Sequence, residues 1–430
     1  MIKGRKTRFI AVLLIIIAVA SFTGCTSGNE KASSKTEQPV KSLTMWKFRS
    51  NKEDYVISQW VKQWNEENPA IQVNFELLPY NDYLTNRLPT AFATNSAPNI
   101  YMISAGGFLK YAKAGYMMPL DDFISPELKK DLNRESLKIA TYNNKILGIP
   151  IEREPVALFY NKQVFSEHKL EPPETWDELV NCAKLLQTKD MSGICLPMQV
   201  NDYQNFIFYT FLMQAGTTND QLNIAAEFGI SGTKALKLWR ELAKYNYAQE
   251  TSVEIPSDIY PFGTGKSAMQ VCGFWAVNML NKYYPKLKYG VVPVPSPEGG
   301  RKVSVHGGWY QAVNPGNALS AEAADFTIWM WGEDISRPFE WCTEASTKIP
   351  ARSSVIEKNK DIFNSGINSL FTTDILPISV PEPRYPVEIS NAISNALQDA
   401  MHSEKDIQEI AGLAGDNILK YINSNNDLFK

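Results

Sequence analysis

The sequence predicts an α/β protein of two lobes. Three observations carry this. Apolar runs alternate between strand and helix periods through the first third of the chain, which implies a parallel sheet with helices on its faces. The 430 residues exceed what one hydrophobic core serves, since cores stop growing beyond about 250–300 residues. A second block of strands, punctuated by Pro and Gly near 289–313, is flanked by helical stretches.

Taken in order, residues 43–48 read as a strand. Residues 55–67 read as a helix, with Val56, Trp60, Val61 and Trp64 at helical spacing. Ile71, Val73, Phe75 and Leu77 alternate as a strand does. A helix over 82–94 follows, with Pro89 as a kink, and then a strand over 99–103. Ligands on such sheets bind beyond the carboxyl ends of the strands. That places residues 46–49 and 104–108 at a candidate cleft. Trp46 there is either a site residue or core. Arg49 either bonds ligand or is a solvated loop charge. Asp82, after the second strand, either faces the cleft or caps the helix.

Further on, a short strand, Pro150 and the apolar run 156–160 come first. Thr175 and Glu178 form a capping box, and Leu179, Ala183, Leu185 and Leu186 give the helix behind it a buried face. Helices are predicted at 203–216, 233–247 and 273–284. Strands are predicted at 289–294 and 303–313, the second containing Gly307-Gly308. Helices at 320–332, 335–346, 351–363, 387–401 and 404–423 complete the chain.

The N-terminus reads as an export signal. Lys3, Arg5, Lys6 and Arg8 precede an apolar run over 9–22, short of the roughly 20 residues a spanning helix needs. Phe22-Thr23-Gly24-Cys25 resembles a lipobox, with Phe where Leu is usual, so Cys25 is expected to carry lipid. Residues 26–41 have almost no apolar side chain and read as a solvated tether. An ordinary signal peptide or a short membrane anchor is the competing reading.

Net charge is −3 and the charges are interspersed, which argues against nucleic acid as partner. Cys182, Cys195, Cys272 and Cys342 contain no C-x-x-C pair; Cys182 and Cys195 either pair or stay buried thiols. With three histidines, no H-E-x-x-H and no G-x-S-x-G, nothing asks for catalysis, metal or cofactor. Residues 263–267 resemble the tail of a phosphate loop, but Tyr260 stands where its first Gly belongs, so a turn is expected. Asp121-Asp122 lie between prolines and point apart, poor geometry for a glycosidase. What remains is an aromatic-rich chain with ten tryptophans. Trp stacks on sugar C–H faces, and Arg, Asp, Glu and Asn bond hydroxyls.

Several segments, in order, resemble the family 1 extracellular solute-binding proteins, the maltose-binding-protein-like group of ABC importers. They include Thr44-Met45-Trp46, Trp64-Asn65-Glu66-Glu67-Asn68-Pro69, Ala97-Pro98-Asn99-Ile100-Tyr101 and Gly148-Ile149-Pro150. Leu158-Phe159-Tyr160-Asn161-Lys162, Thr175-Trp176-Asp177-Glu178-Leu179, Gly265-Lys266-Ser267-Ala268-Met269, Gly273-Phe274-Trp275 and Ile349-Pro350-Ala351-Arg352 continue the match. The resemblance spans 42–430. It implies a two-lobed periplasmic-binding-protein-like fold of type II with the ligand cleft between lobes. The implied division is a signal peptide at 1–24, lipidated Cys25 and tether at 25–41, lobe one at 42–150 plus about 306–332, and lobe two at 151–305 plus about 333–430. Crossings are expected near 149–153, 303–308 and 332–335.

The implied role is capture of a mono- or oligosaccharide by hinge closure and delivery to ABC permease subunits. The protein is expected to be a monomer, extracytoplasmic and lipid-anchored to the membrane. A surface-anchored carbohydrate-active enzyme and a non-transport sensor or adhesin are the alternatives. The resemblance makes Trp275 the first stacking candidate and Trp309, after Gly307-Gly308, the second. Each competes with a core role. Glu152 and Arg153 at the first crossing contact ligand or pair with each other. Arg352 is expected to reach the site, and His306 to be structural. An anionic sugar would want Arg49, Arg153, Arg352 or Arg384 in the cleft.

Overall fold

The strand Lys41–Phe48 lies second in a five-stranded sheet. It runs parallel to Ile71–Leu78, with Lys41 opposite Ile71 and Phe48 opposite Leu78, and parallel to Ile100–Ser104 on its other side. Trp309–Val313 then adds antiparallel to Ile100–Ser104, and Ile149–Pro150 adds to that. The computed structural model describes residues 40–50, 52–218, 223–247 and 259–425. The expected signal peptide, Cys25 and all of the expected tether but its end lie outside the described residues. Lys41, assigned to the tether, instead opens the first strand.

The second sheet is organised around the ten-residue strand Glu152–Asn161. Its first residues pair with Ile349–Pro350 and then with Ser304–Gly307. Its remainder pairs with Met269–Gly273 and Tyr289–Val292. A strand that the sequence reading lacked, Ser379–Pro381, runs parallel to Ser304–Gly307.

Each sheet has its own core. In the first lobe, the helix Lys52–Glu67 buries Val56, Ile57, Trp60, Val61 and Trp64. Trp60 meets Trp331 edge-on at 5.5 Å, and Trp331 meets Trp341 at 5.4 Å. These rings explain a correction: Trp341, Cys342, Val355 and Phe363 belong to the first core. The chain therefore does not leave that lobe near 332–335. It touches the second sheet at Ile349–Pro350, returns to the first core at Val355 and Phe363, and passes into the second lobe by Phe371, whose ring stacks on Phe274 at 4.1 Å.

In the second lobe, the helices Asp202–Gln214, Thr233–Ala243, Val387–His402 and Ile407–Ser424 cover one sheet face. A smaller cluster including Phe159, Phe262 and Phe274 covers the other. The Thr175–Glu178 capping box starts the helix Trp176–Leu186 as its residues dictate. Leu185, expected inside, is exposed, and Cys182 takes its place.

Other departures are local. The helix expected at 82–94 begins at Tyr80 and runs to Ala93 through a π-type turn, Tyr83–Arg87. The wider turn lets the chain pass Pro89, which lacks an N–H, without a break. The helix expected at 351–363 breaks at Asn359 into Ser353–Lys358 and Lys360–Phe363. The four cysteines after Cys25 are buried, and no disulfide joins them among the described residues.

Candidate binding cleft

Two strands cross from one sheet to the other side by side. Ile149–Pro150 passes through Ile151 into Glu152–Asn161, and Ser304–Gly307 passes through Gly308 into Trp309–Val313. The Ile151 N–H donates to the Trp309 carbonyl at 2.9 Å. Gly308 has φ of +152°, and a Cβ there would lie 2.3 Å from the Glu152 carbonyl oxygen. Only glycine lets the crossings approach this closely.

A cavity of about 190 Å³ opens beside these crossings, lined from both lobes. On the first-lobe wall, Phe48 ends its strand, Tyr80 follows the next strand, and Trp309 opens another. Phe48 lies 4.9 Å from Tyr80 and 4.4 Å from Trp309. The second-lobe wall carries Tyr203, Phe206 and Trp275. Tyr203 and Phe206 each lie about 6 Å from Trp275. Asn201 caps the helix that carries Tyr203 and Phe206, accepting the Gln204 N–H at 2.8 Å. Trp275 follows Met269–Gly273, and its ring lies on Gly273, where a Cβ would come within 1.7 Å of it. The Trp275 Nε1–H is buried and has no hydrogen-bond partner among the described residues.

Charge surrounds these rings. Lys348 lies 3.0 Å from Glu53, 3.1 Å from Glu154 and 3.6 Å from Glu152, all buried. Burial opposes its charge, but the three carboxylates outweigh that and hold its pKa well above the ordinary value. Burial likewise pushes Glu53 up, yet Lys348 and Lys47 win and hold it low. Burial dominates at Glu152, pushed up to about 8, and at Glu154, also raised, as both compete for the same cation. Glu152 further accepts the Trp309 N–H at 3.0 Å and the Trp341 Nε1–H at 2.6 Å. Glu382 lines the cavity and is pushed up to about 8 by burial and by the charge of Asp202.

Of the residues singled out from sequence, Arg49, Trp275 and Trp309 line the cavity together. The others lie elsewhere. Trp46 lies half-buried with the Arg87 guanidinium 5.5 Å from its ring. Asp82 neither lines the cavity nor caps the helix; it accepts from Asn86 Nδ2 at 2.9 Å within it. Glu152 is buried behind the cavity in the contacts given above. Arg153 does not pair with Glu152; it sits near His306, and burial pulls its pKa down to about 10. Arg352 is turned away, bonding Asp131 at 2.7 Å and the Gly332 carbonyl at 2.8 Å. Buried His306 bonds Ser379 through Nδ1 at 2.9 Å, and burial with the nearby Arg153 charge pushes its pKa down to about 3.

The sequence placed Phe48 at the cleft only within the span 46–49, and it did not single out Tyr80, Tyr203, Phe206, Lys348 or Glu382. The strand-end rule that picked Trp46 also covers Phe48 and Tyr80. Nothing local marks the other four.

Residues 50–335 match the family of bacterial extracellular solute-binding proteins. The chain belongs to that family. Among relatives of this solute-binding protein, a binding protein of Brucella abortus is 25% identical over 347 residues, 78% of this chain and 82% of the relative. The multiple sugar-binding protein of Streptococcus mutans is 23% identical over 312 residues, 69% of this chain and 72% of its own. A solved ABC transporter solute-binding protein of Thermotoga lettingae, bound with α-D-tagatose, is 24% identical. It covers 88% of this chain and 99% of its own, with a TM-score of 0.76. The maltotriose-binding protein of Thermus thermophilus is 20% identical, covering 88% and 100%, with a TM-score of 0.73. The fold of this solute-binding protein is thus the maltose-binding-protein-like one.

Proposed function

We propose that this protein captures a mono- or oligosaccharide outside the cytoplasm and delivers it to the permease of an ABC importer, without converting it chemically. The observation that carries the reading is the pair of aromatic walls facing one cavity, with carboxylates between them. Rings take the C–H faces of a sugar, and charged side chains take its hydroxyls. A ligand that touches both walls favours the closed arrangement by its differential affinity for it. The sugars named for the Streptococcus, Thermotoga and Thermus relatives support the class. Trp275, Trp309 and Arg49 are proposed contacts. Acylated Cys25 would hold the monomeric protein at the membrane, since each buried methylene adds about 0.8 kcal/mol.

Calorimetry with maltotriose, mannobiose and α-D-tagatose tests this. At least one sugar should bind, and Trp275→Ala should weaken binding about tenfold. Binding of no sugar, or release of a cleaved or rearranged product, overturns the proposal.

A further inference from the structure

Glu382 is 8% exposed and lines the cleft. It follows the strand Ser379–Pro381 of the second sheet, yet its carboxylate reaches the first lobe. The Gly106 N–H, just beyond Ile100–Ser104, donates to Oε2 at 3.2 Å. A Cβ at Gly106 would lie 2.5 Å from Oε1, so the approach depends on glycine. Among the described residues, no cation pairs with this carboxylate and no second donor bonds it. Such a group costs free energy unless donors reach it.

The cleft's cations do not meet the need. Lys348 is held among Glu53, Glu152 and Glu154. Arg49, Lys52 and Lys282 are exposed, where water and salt screen them. Of the arginines that an anionic sugar would want, Arg49 alone lines the cavity; Arg352 is placed on Asp131 and Arg384 on the Ile139 and Thr141 carbonyls. Asp202, exposed and therefore screened likewise, adds a second and weaker carboxylate to the cavity lining.

We infer that Glu382, with Asp202, sorts sugars by charge, so that the cleft takes a sugar bearing a protonated amine best, a neutral sugar next and an acidic sugar last. The inference rests on the sugar-binding reading above. Burial leaves a proton on Glu382 in the empty cleft near neutral pH; an ammonium displaces that proton by bringing both donors and opposite charge to the carboxylate, and charge-assisted hydrogen bonds are the stronger kind. A hydroxyl brings a donor alone. A sugar carboxylate brings no donor, opposes ionisation of Glu382 and adds like charge beside Asp202.

The test is calorimetry on the full-length protein in detergent. The probes are the neutral sugar that binds tightest in the panel above, its amino-deoxy derivative and its uronic acid derivative. The amine should bind about tenfold tighter than the neutral sugar, and the acid about tenfold weaker. Glu382→Gln should bring the three to within about twofold, the residue left by losing one charged bond. Should that variant not fold, Asp202→Asn, a change at an exposed position, should still narrow the preference for the amine. Equal affinities in the unaltered protein, or an order that neither variant narrows, overturns the inference and leaves the sugar reading standing. If every sugar in the panel fails to bind, the sugar reading itself falls and the inference with it.

Discussion

Glu152 and Glu382 are both buried carboxylates where the lobes meet, and both are pushed up to about 8. Their surroundings differ. Glu152 receives the Trp309 amide, the Trp341 indole and Lys348. Glu382 receives the Gly106 amide. Burial and a raised pKa therefore do not separate a structural group from a ligand-facing one; what separates them is whether the protein itself supplies the partners. Where it does, the group cements the junction. Where it does not, and a cavity adjoins, the missing partners are left for a guest.

The comparison breaks most visibly through Lys348. Lys348→Met removes the cation shared by Glu53, Glu152 and Glu154 and should cost about 3–5 kcal/mol, as for one partner removed from a buried ion pair. Chemical denaturation measures this, and a loss comparable to a surface substitution would mean that the cluster is not structural. An effect of similar size is expected with pH. The folded protein keeps a proton on Glu382 that the unfolded chain releases near the ordinary carboxylate value of 4.5. Stability should therefore fall as pH rises from about 4.5 to about 8, because the folded state binds more protons in that window. Glu382→Gln should flatten part of the fall, with Glu152, Glu154 and Asp202, also raised, contributing to the rest. An unchanged slope would show Glu382 ionised in the native protein. The smallest expected effect is Arg352→Ala, which should leave sugar affinity within about twofold, since one lost charged hydrogen bond would cost more than that. A larger loss by calorimetry would return Arg352 to the cleft.

Much of the fold was legible because it is written in local periods. The alternation at Ile71, Val73, Phe75 and Leu77 and the capping box at Thr175 and Glu178 appear where their chemistry puts them. The third crossing was not legible. Its place depends on Trp331 and Trp341 packing against Trp60, and no local signal joins residues so far apart in the chain. Site residues divide the same way. Trp275 and Trp309 stood beside recognisable glycines. Glu382 stands in the Pro-rich stretch Val380-Pro381-Glu382-Pro383, where its burial comes wholly from tertiary packing. Arg352 misled because a motif fixes a position along the chain and not the direction of a side chain.

The hydrogen bond from the Trp309 amide to Glu152 has a mechanical meaning. Trp309 begins its strand directly after the Gly308 crossing, so one of the two rings proposed to grip a sugar is mounted on the axle and not on a jaw. Rotation about the paired crossings would leave that ring nearly still while Trp275 swings. The cleft is then an anvil with a single hammer, and mutations far out on the second lobe can retune the stroke without disturbing the fixed face.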